Sequence, residues 1–148
     1  MITIRKMTTM DVDQVCLLEE MAFSMPWHRK SFVEMIENKD ALYLVVEEDA
    51  RPGVVVACCG MRSIVGEGDI SNVVVHPNYR KRGIAYRMLT ELLERGAHEF
   101  GTESYTLEVR QSNIDAIRLY EKLGFVREGV RKNFYEKPTE DALIMWKR

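Results

Sequence analysis

The sequence lacks the features that mark several large classes of protein. It has three cysteines and four prolines in 148 residues, and no cysteines or histidines have the spacing of a zinc site. No apolar run approaches the roughly 20 residues of a membrane-spanning helix, and the N-terminal segment has no apolar signal-peptide core. We therefore expect a cytoplasmic protein without a metal and without a membrane partner.

Neither sign of charge dominates the chain. Its 21 basic and 23 acidic side chains give a net charge of −2, whereas proteins that bind nucleic acid through bulk charge carry a positive excess. Apolar residues make up 46% of the chain and charged residues 30%, which is typical of a globular protein. We expect a single domain over residues 1–148 with no direct contact to nucleic acid.

Hydrophobic periodicity predicts eleven elements in the order β-α-α-β-β-β-α-β-α-β-β. Helices are expected at 11–23, 29–38, 84–100 and 114–123, with Met21 and Ile114 among their inward-facing residues and Gly124 ending the last helix. The strands are expected at 2–5, 41–47, 54–64, 69–75, 104–109, from 125 onward and at 142–146. This order predicts an α/β (α+β) fold, with a mixed, mostly antiparallel sheet of six to seven strands and helices on both faces.

The most informative stretch is a basic turn between the strand ending at Val75 and the long helix that follows. It carries three cations and two small residues, Arg80, Lys81, Arg82, Gly83 and Ala85. Unpaired amides at a helix start bind anions, and glycine lets a phosphate approach the backbone. A solvated basic turn is the alternative, but cations at a helix N-terminus oppose the helix dipole unless an anion is bound.

The turn, written Arg80-x-x-Gly83-x-Ala85, resembles the R/Q-x-x-G-x-G/A signature of the GNAT (Gcn5-related N-acetyltransferase) family, and the element order resembles that fold. Further segments resemble the group within it that acetylates the N-terminal alanine of a small-subunit ribosomal protein (the RimI type). They include Pro26-Trp27, Asp69-Ile70-Ser71-Asn72-Val73, Leu107-Glu108-Val109-Arg110, Ser112-Asn113 and Leu119-Tyr120-Glu121-Lys122-Leu123-Gly124-Phe125. His28 and Phe134 depart from the usual pattern of that group, and both lie toward the expected acceptor side.

The resemblance implies acetyl-CoA as co-substrate, no metal, and direct transfer to a protein N-terminus, with a small-subunit ribosomal protein as the partner. It leaves the oligomeric state open. The residues that it implies for acetyl-CoA binding are Val73, Val74, Val75, Arg80, Lys81, Arg82, Gly83, Ile84, Ala85, Tyr86 and Asn113. In that family the strand before the turn pairs its backbone with the pantetheine arm, which requires a locally splayed sheet.

Two residues are candidates for proton transfer. Spacing alone favours Glu108 as a solvated strand carboxylate paired with an arginine, and Tyr120 as a core tyrosine. The resemblance implies that Glu108 accepts the proton of the attacking amine and that Tyr120 donates one to the CoA sulfur. Carboxylates and phenols are both capable of such transfers.

Trp27 and Tyr135 are candidates for the acceptor pocket, although packing roles are at least as well supported by their surroundings in the sequence. Adjacent Cys58 and Cys59 fit a buried strand better than a covalent acetyl-cysteine route. Three other functions remain open at this stage. They are acetylation of a small amine or a lysine side chain, a non-catalytic acyl-CoA sensor, and a nucleotide-binding protein, which the missing P-loop pattern disfavours.

Overall fold

A seven-stranded sheet runs through the chain in the computed structural model, which describes all residues, 1–148. The strands are β1 (Ile2–Lys6), β2 (Ala41–Glu48), β3 (Val55–Ile64), β4 (Glu67–Val75), β5 (Ser104–Arg110), β6 (Val126–Tyr135) and β7 (Glu140–Lys147). Their spatial order is β1-β2-β3-β4-β5-β7-β6, and only the β4–β5 pair is parallel. The expected fold class and the expected order of elements are confirmed.

Four helices cover the two faces of this sheet. They are α1 (Val12–Ala22), α2 (Arg29–Glu37), α3 (Ile84–Phe100) and α4 (Ile114–Lys122). One core contains residues of α1 and α2, and the other contains residues of α3 and α4. Gly124, with φ of 99°, follows Leu123, the C-cap residue of α4, and ends the helix as expected.

Two predicted inward positions are wrong. Met21 is 53% exposed, because nine residues at 100° each place it on the side of α1 opposite Val12. Seven residues bring Glu19 back to within about 20° of Val12, and Glu19 is 1% exposed. Ile114 is also exposed. The buried face of α4 is formed by Ile117 and Tyr120, and Ile114 lies to one side of that face.

The sheet opens between its two parallel strands. β4 and β5 pair only through Glu67 with Ser104, Gly68 with Tyr105, and Asp69 with Thr106. Beyond these pairs β4 continues to Val75 and β5 to Arg110 without further backbone pairing between them. We call the opening between residues 70–75 and 107–110 the β4–β5 gap. It has the splayed geometry that the sequence analysis led us to expect.

Candidate active site

The backbone of β4 presents unpaired peptide groups to the β4–β5 gap. His76 donates its N–H to the Val56 carbonyl at 2.8 Å, and Val74 is the register partner of Cys58. Since alternate residues of an antiparallel pair face the partner strand, the peptide groups of Val73 and Val75 face away from β3. An extended molecule in the gap could therefore hydrogen-bond to β4 as an added strand would.

The basic turn adjoins the C-terminal end of this strand. Lys81 and Gly83 both have left-handed φ values, 63° and 74°, and α3 begins directly after them. None of the backbone amides of residues 80–86 donates a hydrogen bond to a protein atom. Together with the N-terminal dipole of α3, these free donors form a site suited to a pyrophosphate. The predicted residues Ile84, Ala85 and Tyr86 supply the first turn of that helix.

Two of the three cations in the turn also hold its shape. Arg80 donates from Nε to the Val75 carbonyl at 3.3 Å, and Arg82 donates to the Asn78 carbonyl at 3.2 Å. Lys81 makes no ion pair within the protein. Asn113 caps α4 by accepting the Ala116 N–H at 3.2 Å, and its contact with acetyl-CoA stays a prediction.

Glu108 lies on the face of β5 that carries α1 and α2, because Leu107 and Val109 point into the core beneath α3 and α4. Its nearest charged neighbour is Arg131 on β6, whose Nε lies 3.4 Å from Oε2. This oxygen is buried and has no hydrogen-bond partner. Burial raises the pKa of Glu108, the positive charge of Arg131 opposes this, and the carboxylate of Asp69 adds to it.

Tyr120 approaches from the other side of the sheet. It is buried in the core beneath α3 and α4, where its ring packs edge-on against Phe125 at 6.0 Å between centroids. Burial, followed by the nearby phenol of Tyr135, raises its pKa, so Tyr120 is a protonated phenol at neutral pH. Glu108 and Tyr120 therefore place a carboxyl group and a protonated phenol on opposite faces of one sheet.

Tyr135 lies at the end of β6 beneath the guanidinium of Arg110, whose Cζ is 4.7 Å from the ring centroid. Burial raises the pKa of Tyr135 to about 12, with a further contribution from the negative charge of Glu108. The electrostatic effect of Glu108 indicates that Tyr135 lies near the proposed proton acceptor. Its predicted contact with an acceptor stays a prediction.

Trp27 lies in an aromatic cluster with Phe32 and Tyr43, at centroid distances of 5.3 and 6.1 Å. Its backbone N–H donates to the buried carboxylate of Glu19 at 3.1 Å. These contacts give Trp27 a packing role in the loop between α1 and α2. Its predicted role toward an acceptor stays a prediction.

Sequence reasoning assigned no role to Arg110, which connects three parts of the chain. From β5 its guanidinium donates to four oxygens at 2.8–3.2 Å, on Ser24, Glu136, Pro138 and Glu140. Ser24 belongs to the loop after α1, whereas the other three belong to the β6–β7 hairpin. Arg110 thus holds the two loops together on the face of the sheet that carries Glu108. The only sequence signal for this role was that Arg110 follows Glu108 by two residues and so lies on the same face of β5.

Asp69 was also missed as an acidic neighbour of Glu108. It is the last residue of β4 that pairs with β5, and it lines a shallow cavity of about 460 Å³ with Arg62, Ile64, Val65 and Glu67. Desolvation raises the pKa of Asp69, and the charge of Arg131 opposes this shift. The two carboxylates make this end of the gap suited to a cationic group.

These features define an acyl-transferring class of protein: a splayed sheet, a pyrophosphate-binding turn, and a carboxylate and a phenol on opposite faces of the gap. The sequence pattern of the acetyltransferase (GNAT) family matches residues 12–125. The chain belongs to this family, so the resemblance stated from its motifs is confirmed.

Two relatives and one solved structure illustrate the likeness. An Escherichia coli (strain K12) ribosomal protein bS18-alanine N-acetyltransferase is 33% identical over 147 residues, which cover 97% of this chain and 95% of the relative. A Bacillus subtilis (strain 168) protein, provisionally described by the same activity, is 37% identical over 144 residues, covering 97% and 93%. The crystal structure of the Escherichia coli ribosomal-protein-S18-alanine N-acetyltransferase superposes with a TM-score of 0.89 at 30% identity, covering 99% of this chain and 93% of that one.

Two further features are absent from the structure. No three His, Cys, Asp or Glu side chains gather into a group able to hold a metal ion. No helix is both long and apolar enough to cross a membrane.

The charge environment of Glu108 predicts the direction in which two substitutions move its pKa. Arg131→Gln removes a positive charge that favours the carboxylate, so Glu108 should take up its proton at higher pH. Asp69→Asn removes a like charge and should move the pKa down. An NMR titration of the Glu108 side-chain carboxyl carbon measures both shifts.

Arg127→Gln is the matched control for this titration. It removes the same charge from the same strand, but Arg127 pairs with Glu121 rather than with Glu108. The pKa of Glu108 should not change in this variant. An unchanged pKa in Arg131→Gln as well would contradict the electrostatic arrangement described above.

Proposed function

We propose that the protein transfers an acetyl group from acetyl-CoA to the N-terminal α-amine of a protein. The observation that carries the proposal is the buried carboxylate oxygen of Glu108, which accepts no hydrogen bond from the protein, beside a gap lined by free strand peptide groups. We further propose the N-terminal alanine of a small-subunit ribosomal protein as the acceptor. The relatives named for that activity, aligned over nearly the whole chain, support this choice.

The residues around the gap fit acetyl-CoA. We propose that the free amides of the turn and of the first residues of α3 bind its pyrophosphate, with charge from Arg80, Lys81 and Arg82. The β4 backbone at Val73, Val74 and Val75 would pair with the pantetheine arm, and Asn113 would contact the same arm. Acetyl-CoA supplies the activated acyl group, a thioester carbonyl next to a leaving thiol.

We assign proton removal to Glu108. An α-amine with a pKa of about 8 is mostly protonated at neutral pH and has to lose a proton before it can attack. The carboxylate of Glu108, directly or through a water, takes this proton. Asp69 adds a second negative charge on the same side, which favours arrival of the amine in its cationic form.

We assign two further roles. Groups that line the gap stabilise the developing negative charge, and a group behind the gap protonates the leaving thiolate. The outward N–H groups of Val73 and Val75 stabilise the negative charge that develops on the thioester oxygen during attack. Tyr120, protonated because its pKa is raised by burial, gives a proton to the departing sulfur. The second proton that the nitrogen loses as the amide forms passes to solvent, from which Tyr120 is reprotonated while Glu108 releases its own proton. The amine therefore enters from one face while the thiol leaves toward the other, with no covalent intermediate on the protein.

The acceptor would enter beneath the two loops that Arg110 holds together. Trp27 lies in the first of these loops and Tyr135 at the end of β6, beside the second, and we propose that they line the path of the peptide. The whole chain, 1–148, is taken as one catalytic domain, because β1 and β7 lie in the same sheet. Three free cysteines suit a reducing compartment, and we place the reaction in the cytoplasm.

A panel of acceptors tests the proposed function. The protein is given acetyl-CoA with peptides that begin with alanine or another residue, with lysine peptides blocked at the N-terminus, and with small polyamines. We expect mass-spectrometric acetylation of the α-amine of alanine-initiated peptides at the highest kcat/KM. Turnover of polyamines or lysine side chains alone would overturn the peptide assignment, and acetyl-CoA binding without any turnover would indicate a sensor.

Replacement of the proton acceptor should slow the reaction without weakening acetyl-CoA binding. Glu108→Gln keeps the shape of the side chain but removes the base, so kcat at neutral pH should fall by about 10²–10⁴-fold. The Kd for acetyl-CoA, measured by calorimetry, should stay within about twofold. Glu121→Gln, an exposed change on α4, is the control that should leave both quantities unchanged, and an unchanged kcat in Glu108→Gln would remove Glu108 from its role.

A further inference from the structure

Asn72 occupies an unusual position in the middle of β4. Its φ is 58°, in the left-handed region that a residue with a side chain rarely adopts. The register passes from Gly60–Ser71 to Cys58–Val74, so Asn72 and Val73 together face the single residue Cys59. This is a β-bulge, with the extra residue immediately before Val73.

The bulge reverses the alternation of side chains along β4. Before it, Ile70 points into the core beneath α3 and α4, whereas Val74, four residues later, points into the core beneath α1 and α2. A regular strand would place both on the same face. The bulge therefore sets the rotation of the backbone at Val73 and Val75, whose peptide groups face the β4–β5 gap.

The side chain of Asn72 is fixed by three hydrogen bonds within the protein. Its Nδ2 donates to Oε1 of Glu19 at 2.7 Å. Its Oδ1 accepts from the hydroxyl groups of Tyr43 and Ser71, each at 2.8 Å. Only 9% of its surface is exposed, and burial together with these hydrogen bonds holds the side chain in one conformation.

Glu19 is the anchor of this network. It is an acidic side chain with 1% exposure on the buried face of α1, and its second oxygen accepts the Trp27 N–H at 3.1 Å. Burial raises the pKa of Glu19, and the two donors oppose this shift. A buried carboxyl group costs stability that an apolar residue would not, so packing alone gives no reason for it at this position.

We infer that Asn72, held by Glu19, is a positioning residue that aims the N–H of Val73 at the thioester oxygen. The inference rests on the proposed function and adds two side chains to it, neither of which touches the reacting atoms. A helix on one face of the sheet thereby sets the geometry of a hydrogen bond made in the β4–β5 gap. The hydrogen bonds of Asn72 fix the direction of the Val73 N–H, which the strand by itself would leave variable.

Asn72→Gly tests the anchor while keeping the bulge possible. Glycine adopts a φ of 58° without strain, so the backbone conformation remains available but nothing holds it. We expect kcat to fall about tenfold or more, since loss of a whole oxyanion donor costs about 10²–10³-fold. The KM for acetyl-CoA should stay within about threefold, because the turn and α3 are unchanged.

The carbonyl carbon of bound [1-¹³C]acetyl-CoA gives a readout that does not depend on turnover. A hydrogen bond to the thioester oxygen draws electron density from the carbonyl, so its NMR resonance in the wild-type complex should lie downfield of free acetyl-CoA. In Asn72→Gly the resonance should move back toward the free value. Glu19→Gln should move it in the same direction by less, because a glutamine keeps one acceptor oxygen but turns an amide group toward another donor.

Thr102→Val is the matched control. It removes another buried hydrogen bond, between the Thr102 and Ser63 hydroxyls at 2.8 Å, at the paired end of the sheet. This variant should lose stability and yet keep the carbonyl resonance and kcat of the wild type. If Asn72→Gly also keeps both, the bulge stands without its anchor and the inference is wrong. If acetyl-CoA does not bind to the wild type at all, the proposed function itself fails.

Discussion

The structure depends on the fact that two parallel strands at the centre of its sheet pair for only three residues. β4 is held along its other edge by β3, and β5 is paired with β7 from Tyr105 to Arg110. Each strand is thus fixed by its outer neighbour, and the two cannot close on each other. The gap leaves backbone donors and acceptors without partners inside the protein, a cost that an extended ligand removes by pairing with them.

Charge is arranged along this gap rather than spread over the surface. The basic turn follows Val75 at one end, and Asp69 stands at the other, about 20 Å away along an extended strand. A net charge of −2 conceals this separation of an anion-binding end from an acidic end. The arrangement suits a molecule that carries phosphates on one side and meets an amine on the other.

Local patterns predicted the elements of this fold well. Strand alternation, helical stripes and the glycine after α4 are each recognised from residues that are close together in the sequence. They also predicted the turn, whose chemistry lies in consecutive residues. The candidate roles of Glu108 and Tyr120 came from family resemblance, since spacing alone favoured ordinary structural roles. Glu19, Asn72 and Arg110 were missed because each acts through partners distant in the sequence. Met21 was misplaced, and Glu19 overlooked, because steps of three residues drift around a helix of 3.6 residues per turn.

Hydrogen exchange at three consecutive amides of β4 tests the central claim most directly. In the free protein the amide of Val74, which faces β3, should be protected, while those of Val73 and Val75 should exchange rapidly. Saturation with acetyl-CoA should slow exchange at Val73 and Val75 and leave Val74 as it was. Protection of all three amides in the free protein, or no change at Val73 and Val75 on saturation, would contradict an open gap that receives the thioester arm as a strand.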